Sequence, residues 1–246
     1  MGLDWCVRDK TIPGMDVGLA FADVQLENVN KKINTLWTVY LAEHYPDQPS
    51  YSGVFPNPAW TAFEGTEAYL KEKEQKQHWA DVRSKCVVSP METLGVPRIG
   101  IDDTATIWAR AQYDKAAPND PELKNTYPTA EDYLRVHHGV YVPKLVDSPG
   151  IGYVTGMFAG AESFRGKCIA YISWLEDYGF AEDCYEDREP ENLEVLGISL
   201  DKTADHFEAN CKNITSENKE DLKLVRAAAG WCRFWAEQGH GMSAWY

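Results

Sequence analysis

The stretch Ala159 to Cys168, AGAESFRGKC, stands close to a phosphate-binding loop. Its reading decides whether the chain is built around a nucleotide site or around helices. A P-loop reads G-x-x-x-x-G-K-[ST], because small residues let successive backbone N–H groups turn inward on phosphate. Counting back from Gly166-Lys167, the first glycine position falls on Ala161, and Cys168 stands where the metal-binding hydroxyl belongs. Glu162 would set a negative charge against the ligand. Phe164 instead shares a helical spacing with Cys168, Tyr171, Ile172 and Leu175. The spacing predicts a helix over 161–177, with Glu162 in its first turn complementing the helix dipole.

Just upstream, Gly150, Gly152, Gly156 and Gly160 crowd the chain. Gly150-Ile-Gly152 begins like a dinucleotide fingerprint, but the next glycine comes at 156, one residue late. The β-branched and aromatic segments GVYVPKLV (139–146) and YVTGMF (153–158) read as partner strands, turned by DSPGIG. Pro143 favours an edge or a bulge. Glycines beside strands mark tight corners or close backbone approach.

Elsewhere the apolar spacing is helical. Asp23 is expected to cap a helix to about His44 on Leu26, Val29, Ile33 and Leu36. A second helix is expected over 62–86, with the charge run Lys71 to Gln77 as a solvated face. Asp102 or Asp103 caps a third, carrying Ile107, Trp108 and Ala111. Thr129-Ala-Glu-Asp132 resembles a capping box and opens a helix through about His137. Ala204, Phe207 and Cys211 form one further face, and Leu222, Val225, Ala229, Cys232 and Trp235 form another that stops near Gly239. Leu3, Trp5 and Val7 alternate with polar neighbours as a short strand with Trp5 inward. Residues 8–22 read as a loop, and long irregular connections are expected near 46–60, 89–101, 117–128 and 179–192. The expected fold is α+β: one mainly helical domain over 1–246 with a small β-sheet.

Composition narrows the function. The 246 residues are 44% hydrophobic and 25% charged, ordinary usage for a globular chain able to bury a core. The net charge of −14 repels phosphate backbones and anionic lipid heads, so nucleic acid is not an expected partner. No apolar run approaches a membrane span. The N-terminal MGLDWC departs from the myristoylation pattern at Cys6, so acylation is not expected. Asp4, Arg8, Asp9 and Lys10 interrupt any signal sequence, so the six cysteines are expected as reduced thiols in the cytoplasm.

MGLDW, METLGVPRIG, VYVPKLV and SFRGK together resemble a loose group of uncharacterised bacterial and phage-type proteins that begin with MGLDW. The likeness covers scattered islands of the chain. It implies no activity, cofactor or catalytic residue.

The candidate chemistry therefore rests on the residues themselves. His137 and His138 are adjacent, so they point apart on either a helix or a strand and do not share a metal ion. Glu237-x-x-His240 lacks a second copy, and no other spacing suggests metal ligands or a nucleotide cofactor. His138 lies where a helix gives way to GVYVP and is the candidate acid/base, with Asp102 or Asp103 to orient it. Arg98 or Arg165 would anchor an anion. Gly150, Gly152, Tyr141 and Tyr153 would complete a cleft where PRIGIDD, HHGVYVP and PGIGYVTG converge. The expected function is binding, and acid/base conversion, of a small polar or anionic molecule. The alternative is a non-catalytic interaction protein using the acidic tract 176–194 and the aromatic C-terminus GMSAWY to engage a protein partner.

Overall fold

A computed structural model describes residues 3–46, 58–146, 163–176 and 178–245. The fold is mainly helical α+β with a small antiparallel sheet. It makes its contacts in two compact units, Thr11–Val88 and the remainder, Met1–Lys10 with Ser89–Tyr246. The chain starts the larger unit with β1 (Asp4–Val7) and leaves it along β2 (Lys10–Thr11).

The smaller unit holds α1 (Asp16–His44), α2 (Pro58–Glu64), α3 (Glu67–Ser84) and β3 (Val87–Val88). α1 packs along α3, and Val29, Ile33 and Phe63 form the centre of an aromatic cluster with Trp37, Tyr40 and Trp60. α1 begins seven residues before Asp23: Gly18, Ala20 and Ala22 belong to the helix rather than to a loop. The helix expected over 62–86 is broken in two, because Gly65 interrupts it and Thr66 caps the second part by accepting from the Tyr69 N–H. The charge run is solvated except at Glu72, which is buried on α3 and receives Lys32 Nζ at 2.9 Å.

The larger unit continues with α4 (Pro90–Thr93), α5 (Asp103–Ala116), α6 (Pro121–Thr126) and α7 (Ala130–Val136). α6 occupies what reads as a loop, started by Asp120 accepting from the Leu123 N–H. Thr129 caps α7 as expected, accepting from the Asp132 N–H. α5 buries Ala105, Ala109 and Tyr113, while Ile107 is 69% exposed. Of the residues the spacing singles out, Trp108 packs against the cluster of Ile99, Ala105, Ala109 and Val142, whereas Ile107 and Ala111 face outward. The segment 139–146 is not a strand. It makes one antiparallel bridge, Arg98 with Tyr141, then a 3₁₀ turn over Pro143–Leu145. Its expected partner, 153–158, lies outside the described residues, as does the turn before it.

The segment around Phe164 is likewise not one helix. Ser163–Phe164 is β4, followed by α8 (Lys167–Ala170), α9 (Ser173–Glu176) and α10 (Phe180–Asp183). The sheet order is β4-β1-β5, where β5 is Met242–Trp245, so the first strand lies between the last strand and the near-miss loop. Trp5 pairs with Phe164 on one side and Ala244 on the other. Its indole is fully buried, donates to the Cys184 carbonyl at 2.8 Å, and stacks on Phe164 at 5.6 Å. Gly166 is small because this indole lies over it: a Cβ there would stand 2.6 Å from Trp5 Cδ1.

α11 (Pro190–Asn210) and α12 (Ser216–Glu237) supply most of the core. They run antiparallel, since Arg226 reaches Asp205 and Glu208 while Arg233 reaches Asp201. Gly197 packs directly on α12, where a Cβ would be 2.9 Å from the Ala229 carbonyl oxygen. Gly197→Val is expected to destabilise the larger unit by about 3 kcal/mol through overpacking against backbone that cannot yield. Gly230→Ala on α12, where a Cβ meets nothing within 4 Å, should instead stabilise it by about 0.5–1 kcal/mol through helix propensity. Urea midpoints of the two variants check the pair. Among the described residues, no helix is long and apolar enough to cross a membrane.

Candidate functional site

The segments 97–103 and 137–143 meet in the larger unit. Ile99 N–H donates to the Val140 carbonyl at 2.9 Å, Gly139 N–H to Ile99 at 2.8 Å, and Val142 N–H to Pro97 at 2.9 Å. This short ladder brings together Arg98, Asp102, His138 and Tyr141. Gly150, Gly152 and Tyr153, from the third expected segment, lie outside the described residues.

The guanidinium of Arg98 lies over the Tyr141 ring, 5.5 Å from its centroid. One edge is held by Glu92, Nη1 to Oε1 at 3.4 Å, and the side chain is 34% exposed. Nε and Nη2 make no hydrogen bond to a described residue, so a flat donor edge is left for an acceptor. Tyr141 is fixed in turn by Ser89, their hydroxyl oxygens 3.2 Å apart. Ser89 and Glu92 are the reciprocal capping box of α4, with Pro90 in its first turn. Sequence reading passed over them, although S-x-x-E with proline in the first turn is a helix-start signal. A stacked, tethered arginine loses less side-chain freedom on binding than a free one.

His138 is exposed and its ring lies against the backbone of Gly100, where a Cβ would stand 2.5 Å from Cδ2. Gly100 also has φ +75°, a conformation other residues adopt only with strain. Neither candidate acid orients this ring. Asp102 Oδ2 accepts from the Arg98 N–H at 2.7 Å and closes the turn, and Asp103 is exposed on the first turn of α5. His137 is half buried, its ring 4.1 Å from Tyr133 and its Nδ1 2.8 Å from the Tyr133 carbonyl. Arg165 is elsewhere in the unit, at the sheet, with Nε 3.4 Å from Asp4. No contact among the described residues joins it to the ladder.

Three of the other thiols are deactivated by burial. Burial pushes the Cys184 thiol up to about 12 and raises Cys232 as well, so neither is a thiolate at neutral pH. Burial also raises Cys168, against the pull of Arg165. Among the described residues, no group of three His, Cys, Asp or Glu could hold a metal ion. Asp183 and Glu186 pair with Arg188, Glu189 pairs with Arg8, and Asp187 accepts from the Ala244 N–H, so these four acids of the tract already have partners.

Set against protein-family models, curated proteins and solved structures, the chain matches none.

Proposed function

We propose that this chain is a ligand-binding domain of the cytoplasm that takes a small anionic or polar molecule on the surface formed by Arg98, Tyr141 and His138. The observation that carries the proposal is the unspent donor edge of Arg98, held by stacking on Tyr141 and by Glu92. A planar guanidinium in that state suits a carboxylate or phosphate. His138, exposed two residues beyond α7, would add a second donor or a proton-exchanging group. Binding fits the geometry better than catalysis, since no described carboxylate holds the His138 ring in one orientation.

Titration calorimetry with inorganic phosphate and with citrate tests this. Arg98→Ala should weaken binding at least tenfold, and Arg98→Lys should recover only part of it. Losing the exposed ion pair and the cation–π contact should cost no more than about 1 kcal/mol of stability. Equal affinity in the wild type and Arg98→Ala would remove the proposal. The interaction-protein alternative has one observation in its favour, the 67% exposure of Trp245 at the end of β5.

A further inference from the structure

His240 is fully buried, and both of its ring nitrogens are engaged. Nδ1 is 2.7 Å from the Arg8 carbonyl oxygen, and Nε2 is 2.7 Å from the Thr93 hydroxyl. A carbonyl only accepts, so Nδ1 carries the hydrogen and Nε2 accepts from Thr93. One neutral ring thus ties together three places far apart in sequence: the end of β1, the last residue of α4, and the turn between α12 and β5. The edge of Trp235 closes a fourth side, with ring centroids 5.3 Å apart.

We propose that His240 is a proton-operated latch: neutral, it holds α4 against the end of β1 and the C-terminal strand, and protonation releases α4. A proton arriving from solvent lands on Nε2, the one ring nitrogen without a hydrogen, and takes the lone pair that accepts from Thr93. The Thr93 hydroxyl must then turn its own hydrogen away, and a cation stands in a site closed to water. The charged groups on the surrounding elements are Arg8, Asp9 and Lys10 after β1, Glu92 on α4, Arg98 beyond it, and Glu237 at the end of α12. Lys10, whose Nζ donates to the Gln238 carbonyl at 3.1 Å, opposes the charge, and Asp9 favours it. Burial is the largest influence and holds the ring below its ordinary 6.5, against the pull of the Arg8 carbonyl. The unfolded chain therefore takes the proton first as pH falls. The latch's contribution to stability is complete above about 6.5 and is lost as pH drops from there through the lower folded value. α4 also places Glu92 on Arg98 and Ser89 on Tyr141, so release would loosen the ligand surface; that consequence rests on the proposed function, and the test does not.

Amide exchange followed by NMR on the intact chain at pH 7.5 and 5.5, expressed as protection factors, tests the latch. Carboxylates stay largely ionised across this window. Protection of the Thr93 and Val96 amides, which donate to Ser89 and Met91, should fall at least tenfold at pH 5.5. Amides in the α11–α12 seam should change less than threefold. His240→Gln, which keeps a donor and an acceptor but cannot take the proton, should remove the difference. If that variant does not fold, the wild type decides alone. No change at α4, or the same change across every amide, overturns the proposal, as does a folded His240→Gln chain that keeps the pH response.

Discussion

Trp5→Ala should be the most damaging single replacement in the larger unit, costing about 4–5 kcal/mol. The indole is fully buried between Phe164 and Trp231, in the middle strand of the sheet. Removing it opens a cavity that the strands cannot close, and the Cys184 carbonyl loses its donor, which adds about 1 kcal/mol or more. A loss of that size is a large share of the roughly 5–15 kcal/mol that holds a domain folded. Gly166 supplies the internal control. Gly166→Ala alone should cost about 1–3 kcal/mol, because its methyl group enters the space of the Trp5 ring. With the ring absent, the same methyl meets a void. The double variant Trp5→Ala/Gly166→Ala should therefore be at least about 1 kcal/mol more stable than the two single losses predict. Urea unfolding followed by near-ultraviolet circular dichroism measures the cycle. Strict additivity would mean that Gly166 is small for some reason other than this ring.

That glycine shows what the sequence could and could not tell. AGAESFRGKC fails as a phosphate loop on residue types alone. Its true conformation depends on Trp5, which lies 161 positions before Gly166 in the chain. Helical spacing from Phe164 to Leu175 is real, but pairing with β1 outcompetes it at Phe164. Tertiary contact overrides local preference most easily in short segments, where few helical hydrogen bonds are at stake. The long helices were legible for the converse reason. α12 repeats its buried positions over about four turns, and Leu222, Val225, Ala229, Cys232 and Trp235 are all buried as their spacing predicts. At α1 the missing turns are those with small residues, where spacing carries little signal.

The site was legible only where chemistry and turn residues coincide. Arg98, His138 and Tyr141 stand out because Gly100 and Gly139 turn the chain beside them, and the two segments do pair. Their partners are set by distance in the fold. Tyr141 meets Ser89 across 52 positions, and His240 meets Thr93 across 147. His240 enters the sequence reading only through Glu237-x-x-His240, set aside for want of a second copy, and the two contacts of its ring come from segments that spacing does not connect. Asp102 was singled out as an acid able to orient a base, and a turn needing one carboxylate oxygen claimed it first.

A chain ending at Gly239 should fail to fold its larger unit. The loss takes away Met242 and His240, both fully buried, and the whole β1–β5 pairing from Asp4 with Trp245 to Val7 with Met242. Arg188 loses both backbone hydrogen bonds to Met242, and Asp187 loses the Ala244 N–H. Deleting the methionine side chain alone would cost about 2–5 kcal/mol, and the orphaned carbonyls and carboxylate add to it, so the sum reaches the total stability of a typical domain. Loss of the near-ultraviolet signal of the buried tryptophans at 25 °C would show the failure; a native spectrum would mean that β5 is dispensable. Under the interaction-protein alternative, this segment would also dock a partner. Deleting the C-terminus cannot separate docking from folding, because one segment carries both. Trp245→Ser can: the ring is 67% exposed, and its removal should change stability by no more than about 0.5 kcal/mol. A partner that binds through this aromatic end must lose its affinity for a protein that is otherwise intact. If association survives the substitution, the exposed ring is only the outer face of a strand whose work is done on its other side.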